Sequence, residues 1–178
     1  VGINDANTTD TLDPGTTTGV YMIQFNHAVR AFLTEITPEN KIGPDVAERA
    51  RSAITAAGLE DRCDAVGGSF FETIPAGADA YLLRHIIHDW YDTESQRILQ
   101  AIRAAIPAHG KLLVIETVIP AGNDPCFAKL LDLTMLVVPG GKERTADEYR
   151  ALLGSAGFAL TRIVPTNGGV DVIEAVPV

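Results

Sequence analysis

The feature that most constrains the fold is a short apolar run that ends in a cluster of titratable side chains. Residues 80–83 are apolar, and Arg84, His85, His88 and Asp89 follow closely. A run of this length and composition is typical of a strand buried in a parallel sheet. Open α/β sheets bind ligands at the carboxyl ends of their strands, so the run predicts a central strand with a site beside it. We infer that His88 is a catalytic base.

Strand and helix patterns alternate along the rest of the chain. A Thr-, Asn- and Asp-rich stretch over residues 1–19 predicts a loop, and the apolar residues 20–36 predict either a helix or a strand followed by a helix. The dipeptide Asn167-Gly168 predicts an antiparallel hairpin at the carboxyl end. Helices are predicted at about residues 44–57, 92–106, 126–136 and 145–156, and strands at 63–66, 80–83, 111–118, 159–165 and 170–176. This pattern indicates one α/β domain over residues 1–178, with a doubly wound, mostly parallel sheet and a C-terminal antiparallel hairpin.

Composition excludes several classes of partner. The 178 residues carry a net charge of −9 without a basic tract, which argues against binding to nucleic acid or to an anionic membrane. No apolar run reaches the length that spans a membrane. Cys63 and Cys126 form no metal-ligand pattern, so we expect reduced, buried thiols in a cytoplasmic protein and no metal centre.

Two acidic residues interrupt patterns in which an acid is unexpected. Glu116 lies in the apolar stretch 111–118, and Glu143 follows a glycine pair. A carboxylate beside His88 would raise its pKa and fix its tautomer, which suits a general base. The alternatives are that Glu116 ends its strand in solvent and that Glu143 caps the following helix.

Six motifs together resemble a known family: GGSFF, ADAYLLRHIIHDW, GKLLVIETVIP, DLTML, GGKERTADEY and AGF, in this order. They are similar to the C-terminal part of the S-adenosylmethionine-dependent O-methyltransferases of the plant caffeate and flavonoid type and of their bacterial relatives that methylate aromatic polyketides. The resemblance extends from about Gly43 to the carboxyl end. It implies a Rossmann-like methyltransferase fold, S-adenosyl-L-methionine as cofactor, a small hydroxylated aromatic substrate, no metal and a possible homodimer.

The resemblance also implies roles for individual residues. His88 would take the proton from a phenolic hydroxyl, with Glu116 and Glu143 orienting it. Residues on the helix after the LLVIE strand would line the substrate pocket, namely Asp132 and Met135. Six further residues would contact the cofactor: Gly68, Ser69, Phe70, Arg84, Asp89 and Trp90.

The chain departs from the family pattern upstream of these motifs. The nearest match to the cofactor-binding glycine loop is residues 12–19, in which Asp13, Gly15 and Gly19 would contact the cofactor. Ser69 stands where the family has an Asp, and Glu35 is the candidate acid for the ribose. Residues 1–42 are therefore expected to be atypical or partly disordered, and the family's N-terminal dimerisation domain is expected to be absent.

Three interpretations follow from these departures. The chain is a fragment or a rearranged form of a longer enzyme, a methyltransferase with an unusual first segment, or a methyltransferase-like protein that no longer transfers methyl groups. In the last case it would act as a binding or interaction module, or catalyse another reaction in the same pocket. A flavodoxin-like binding domain is disfavoured because no complete phosphate-binding glycine loop is present.

Overall fold

A mixed seven-stranded sheet is the framework of the molecule. The computed structural model describes residues 17–23, 29–35, 44–72, 74–137 and 140–178. The strands of the described chain are β1 (Thr17–Ile23), β2 (Val29–Glu35), β3 (Cys63–Gly67), β4 (Ala80–Arg84), β5 (Lys111–Glu116), β6 (Val118–Ile119), β7 (Arg144–Thr145), β8 (Phe158–Pro165) and β9 (Asp171–Pro177). The large sheet has the order β3-β2-β1-β4-β5-β9-β8, and β6 and β7 form a separate two-stranded sheet.

Helices occupy the connections between these strands. They are α1 (Pro44–Ala56), α2 (Asp92–Ala105), α3 (Phe127–Val137) and α4 (Ala146–Ser155), with a one-turn 3-10 helix at Ile87–Asp89. The α/β class, the C-terminal hairpin and the four predicted helices are confirmed. In the part of the chain that the structure describes, no helix combines the length and the apolar character needed to cross a membrane.

The core is built around β4 and α2, as the apolar patterns predict. Tyr81 and Leu83 of β4 are fully buried, and α2 directs Ile98, Leu99 and Ile102 into the same cluster. Each such side chain contributes about 1.5–3 kcal/mol through removal of apolar surface from water. This packing fixes the position of β4, and the titratable cluster begins at its carboxyl end.

The amino-terminal segment differs from its prediction. Residues 17–19 belong to a strand rather than to a loop, and residues 29–35 form a second strand rather than a helix. β1 pairs antiparallel with both β2 and β4, and β2 pairs parallel with β3. The partner strands β3 and β4 come from later in the chain, so local periodicity cannot decide between helix and strand here.

Five of the seven strands share one direction, but the sheet is mixed, because only the pairings β2/β3 and β4/β5 are parallel and the other four are antiparallel. The sequence does not predict the reversal of β1. β2, β3, β4, β5 and β8 point one way, whereas β1 and β9 point the other way. The reversal of β9 follows from the hairpin, which is as predicted. The reversal of β1 means that its first residues, and not its last, lie at the carboxyl end of β4.

The two cysteines are free but half-buried, which corrects the prediction that they are buried. Cys63 begins β3 and packs at the border of a small cluster formed by Ile54 and Ala65.

Candidate active site

The chain turns sharply where β4 ends, and this turn carries the titratable cluster. His85 adopts a left-handed backbone conformation with φ of 52°, which is uncommon for a residue other than glycine. The chain then enters the 3-10 helix Ile87–Asp89, whose His88 is buried. The rings of His85 and His88 are stacked with centroids 5.1 Å apart. Both imidazoles therefore lie at the carboxyl edge of the sheet, as predicted.

Glu116 anchors the backbone of this turn. It ends β5 beside β4 and is fully buried, so it does not end its strand in solvent. Its Oε1 accepts hydrogen bonds from the backbone N–H groups of Ile86 at 3.0 Å and Ile87 at 2.9 Å, with that of His88 at 3.4 Å. One carboxylate thus satisfies consecutive buried donors that would otherwise have no partner. Its other oxygen, Oε2, faces the imidazole of His88, 3.4 Å from Nδ1.

Glu143 binds the imidazole of His88 directly. Glu143 is 2% exposed, and its Oε1 lies 2.7 Å from His88 Nδ1. A carboxylate can only accept, so Nδ1 donates and the lone pair of the neutral ring is on Nε2. Glu143 does not cap the next helix, because Thr145 and Glu148 form the capping box of α4. This is the arrangement that a histidine base requires.

The surrounding charges determine the protonation of His88. Burial by itself would lower the pKa of His88, but the hydrogen bond to Glu143 and the charges of Glu116 and Asp89 outweigh it and raise the pKa to about 9. Asp89 Oδ1 lies 3.5 Å from His88 Nε2. Burial raises the pKa of Asp89 to about 6, against the lowering effect of His88. Three carboxyl groups therefore surround one imidazole.

Backbone contacts hold the loop before α4 against the turn that follows β4. Lys142 N–H donates to His88 O at 2.9 Å, and Asp132 Oδ1 accepts from Glu143 N–H at 2.9 Å. A β-carbon at Gly141 would lie 2.0 Å from His88 O, so only glycine permits this approach. Asp132 thus holds the backbone of Glu143, and its predicted place in the substrate pocket stays a prediction.

Arg144 holds the site together, and the sequence analysis did not identify this role. Its side chain is fully buried and donates to Ile87 O at 3.0 Å, Trp90 O at 2.9 Å and Asp92 Oδ1 at 2.9 Å. It therefore ties the turn after β4 to the start of α2 and to the loop that carries Glu143. The only sequence signal was its position next to Glu143 in the GGKERT motif.

Aromatic residues line one side of the turn. Phe70 is 1% exposed and belongs to the core, so little of its ring can meet a ligand. Phe71 and Trp90 are half-buried and meet edge to face with ring centroids 4.9 Å apart. Phe71, which the sequence analysis did not single out, offers the more accessible ring.

The remaining predicted cofactor and substrate residues are placed as follows. Gly68 is half-buried after β3, and the Oγ of the buried Ser69 accepts from Phe71 N–H at 3.3 Å. Arg84 is exposed at the end of β4, and Met135 is half-buried on α3.

Of the residues predicted to form the glycine loop, Asp13 and Gly15 lie outside the described residues. Gly19 lies within β1, where it pairs with Leu33 of β2 and Arg84 of β4, so it is not part of a glycine turn. Glu35, the candidate acid for the ribose, is the last residue of β2.

Comparison with known proteins gives a family match over most of the chain. The family model of the O-methyltransferase domain matches residues 40–159. The chain belongs to the O-methyltransferase domain family. The matched residues include His88, Glu116 and Glu143, together with the whole of β4, α2, β5 and α3.

Relatives of this O-methyltransferase domain include enzymes of bacterial secondary metabolism. The phenazine O-methyltransferase PhzM of Lysobacter antibioticus is 50% identical over 135 residues, which are 76% of this chain and 40% of that protein. The aclacinomycin 10-hydroxylase RdmB of Streptomyces purpurascens is 42% identical over 116 residues, 64% of this chain and 31% of that protein. The chain therefore spans well under half the length of these relatives.

Solved structures also resemble the domain. The crystal structure of LaPhzM superimposes with a TM-score of 0.72 at 50% identity, over 76% of this chain and 41% of that one. The O-methyltransferase of neocarzinostatin biosynthesis, in complex with S-adenosylmethionine and 2-hydroxy-5-methyl naphthoic acid, gives 0.67 at 36% identity, over 74% and 38%. The Rossmann-like methyltransferase fold of this chain is thus confirmed.

Proposed function

We propose that this chain is the catalytic part of an O-methyltransferase that moves a methyl group from S-adenosyl-L-methionine to the hydroxyl of a small aromatic molecule. The observation that supports this most is the 2.7 Å contact between His88 Nδ1 and Glu143 Oε1 at the carboxyl edge of the sheet. It leaves Nε2 as the position that can accept a proton. No metal is required for this step.

The residues of the chain would act on the acceptor hydroxyl. His88 Nε2 accepts the proton of the hydroxyl, so that the oxygen carries a lone pair suited to attack. S-adenosylmethionine, when bound, would supply an electrophilic methyl group with a neutral thioether as leaving group, so that the bond from carbon to the acceptor oxygen would form as the carbon–sulfur bond breaks. Glu143 and Glu116 stabilise the imidazolium that forms, through the 2.7 Å contact and the 3.4 Å approach of Oε2.

The charge of the site fits a cationic cofactor. The carboxyl groups of Glu116, Glu143 and Asp89 face a single imidazole in a buried environment. A sulfonium group would find a favourable negative potential there, and in turn would lower the pKa of His88. We propose that the half-buried rings of Phe71 and Trp90 contact the adenine, with Arg84 and Asp89 nearer its amino-acid end.

A second candidate is a homologue that does not transfer methyl groups. Two observations favour considering it: a relative that is 42% identical is named a hydroxylase, and Gly19 lies in a strand instead of a glycine turn. In that case the same base and pocket would serve a different reaction. A homodimer and a cytoplasmic location remain proposals; the free thiols of Cys63 and Cys126 are consistent with the latter.

Calorimetry and a methylation screen distinguish the O-methyltransferase from the homologue that does not transfer methyl groups. The chain is titrated with S-adenosylmethionine, and mass spectrometry follows methylation of a panel of phenols by wild type, His88→Ala and His109→Ala. His109 is a suitable control because its side chain is 74% exposed and contacts Asp79. We expect cofactor binding in all three proteins and a loss of turnover of at least about 100-fold in His88→Ala alone.

Each outcome has a defined meaning. Absence of binding heat at millimolar cofactor would contradict the methyltransferase proposal for this chain. Binding without turnover on any phenol would favour the homologue that performs another reaction. Equal turnover of wild type and His88→Ala would show that His88 is not the base.

A further inference from the structure

The catalytic cluster contains buried polar atoms that have no hydrogen-bond partner. They are Glu116 Oε2, Glu143 Oε2 and His85 Nδ1. Glu116 and Glu143 are 0% and 2% exposed, so neither residue gains much from solvent. A buried polar atom without a partner costs about 1–3 kcal/mol, and a bound ion is one way to recover this free energy.

The distances between the ligand atoms suit a small metal ion. Glu116 Oε2 lies 3.6 Å from His85 Nδ1 and 3.4 Å from His88 Nδ1. The three residues can offer one ligand atom each within 4.8 Å of one another. Metal–ligand bonds of about 2.0–2.2 Å in a tetrahedral zinc site place the ligand atoms about 3.3–3.6 Å apart. The separations of Glu116 Oε2 from the Nδ1 atoms of His85 and His88 fall in this range.

We propose that His85, His88 and Glu116 bind a divalent transition metal ion such as Zn²⁺, and that the bound ion blocks the base. Two imidazoles and one carboxylate are ligands that Zn²⁺ and Co²⁺ accept, whereas Mg²⁺ and Ca²⁺ require a set of oxygen ligands. The His85 side chain is 38% exposed, so the site lies near the protein surface. Glu143 Oε2 provides a further unpaired oxygen next to the site.

The chemistry of the imidazole explains why a bound ion would stop His88 from acting as a base. This inhibition, unlike the metal site itself, rests on the proposed function. An ion on His88 Nδ1 replaces the proton that Nδ1 donates to Glu143. The neutral, metal-bound ring then carries its proton on Nε2. Nε2 is a donor in that state and cannot accept the proton of an acceptor hydroxyl. The ion is thus an inhibitor of methyl transfer and takes no part in it.

Cobalt spectroscopy tests the site on this chain without cofactor or acceptor. Co²⁺ is added to metal-free protein, its visible absorption is recorded, and Zn²⁺ or Mg²⁺ is added in competition. The variants are His85→Asn, which tolerates the left-handed backbone, Glu116→Gln, which keeps an oxygen for the backbone donors, and His109→Ala as control. We expect wild type and His109→Ala to bind one Co²⁺ that Zn²⁺ displaces and Mg²⁺ does not.

The two site variants decide the proposal. We expect His85→Asn and Glu116→Gln to bind Co²⁺ at least about tenfold more weakly, since each lacks one ligand. If Glu116→Gln does not fold, the Co²⁺ affinity of His85→Asn alone tests the site. We expect this variant to fold, because the side chain of His85 lies partly outside the core. Wild-type affinity in His85→Asn, or an equal loss in His109→Ala, would overturn the site.

Inhibition is measured separately, so the two proposals fail in different ways. Zn²⁺ should inhibit methylation by wild type and His109→Ala, and His85→Asn should require at least about tenfold more Zn²⁺ for half-inhibition relative to its own rate. Metal binding without any methylation in metal-free buffer would contradict the proposed function and leave the site standing. Unchanged methylation at saturating Zn²⁺ would overturn the blocking effect.

Discussion

His88 combines two properties that oppose each other in a base. Its contacts with Glu143 and Glu116 orient the ring and, in the proposed reaction, would stabilise the imidazolium that forms. The same contacts raise the pKa of His88 to about 9 in the ligand-free chain, so the ring is protonated at neutral pH. A bound cationic cofactor would lower the pKa of His88 again, because its positive charge favours the neutral ring. Under the proposed function, cofactor binding would therefore favour the neutral form of His88 that can accept a proton.

This coupling predicts the pH dependence of methylation. We expect kcat/KM, which reports the free enzyme, to rise about tenfold per pH unit between pH 7 and 8 and to level off near pH 9, as His88 loses its proton. At saturating cofactor, kcat should level off at a lower pH. Initial rates with a phenolic acceptor across this range provide the measurement. A flat kcat/KM profile from pH 7 to 9 would rule out this titration of the base.

The raised pKa of His88 also predicts a dependence of stability on pH. Because the folded-state pKa of about 9 exceeds the ordinary value of 6.5, His88 contributes its full stability below pH 6.5 and loses it as pH rises through 9. The difference corresponds to about 3 kcal/mol. Urea unfolding at pH 6.5 and 9.5 should show this loss in wild type and only a small part of it in His88→Gln. Equal losses in both proteins would contradict it.

Glu116 is predicted to matter for folding as well as for chemistry. Glu116→Leu leaves the buried N–H groups of Ile86 and Ile87 without an acceptor, so we expect a destabilisation of about 3 kcal/mol. Glu116→Gln keeps an acceptor oxygen and should cost less than half of that. Glu174→Gln, whose carboxylate binds surface side chains, is the control and should change stability by less than about 1 kcal/mol. A similar loss for Leu and Gln at position 116 would show that the charge, and not the backbone anchoring, dominates.

At the scale of elements, the site is the junction of three segments. The turn after β4 carries His88, β5 ends in Glu116, and the loop before α4 carries Glu143. The pairing of β6 with β7 places Val118 opposite Arg144, which brings the last two segments together. Arg144 then joins the turn after β4 to α2 through buried hydrogen bonds. No single element contains the site.

The close approach of the Glu143 loop to the turn after β4 gives a prediction for two glycines. Gly141→Ala places a methyl group 2.0 Å from His88 O, so we expect a loss of about 2–3 kcal/mol and of catalytic activity. Gly154→Ala in α4 meets no atom within 4 Å and should stabilise by about 0.5–1 kcal/mol, since alanine favours the helix. Urea unfolding of both variants provides the measurement. A Gly141→Ala protein as stable as wild type would show that the loop can move without cost.

At the scale of the whole molecule, α3 exposes an apolar face. The side chains on this face are 55–81% exposed: Phe127, Leu130, Leu133, Leu136 and Val137. Contiguous apolar surface of this kind marks a contact with another protein surface or a tendency to aggregate. The chain spans 40% of the length of the phenazine O-methyltransferase of Lysobacter antibioticus.

We expect the isolated chain to self-associate through this face of α3. Leu130→Glu combined with Leu133→Glu should shift it towards the monomer, because burying the two new carboxylates is unfavourable. Val164→Glu, on β8 and 40% exposed, is the matched control and should leave association unchanged. Sedimentation velocity at several concentrations measures the effect. A wild-type chain that stays monomeric at high concentration would contradict the prediction.

The sequence by itself determined the features that depend on neighbouring residues. The apolar run of β4, the face of α2, the Asn167-Gly168 hairpin and the Thr145 capping box all follow from local spacing, and the structure contains each of them. His88, Glu116 and Glu143 were also identified, partly from interrupted patterns and partly from the family resemblance.

Only the tertiary structure decided what those residues contact. Glu116 meets the backbone of Ile86 across 30 residues of sequence, and Glu143 meets His88 across 55. The role of Asp132 in holding the Glu143 loop, the buried hydrogen bonds of Arg144 and the reversed direction of β1 are equally non-local. Local spacing is silent on these features, because each depends on which distant segments the sheet brings side by side.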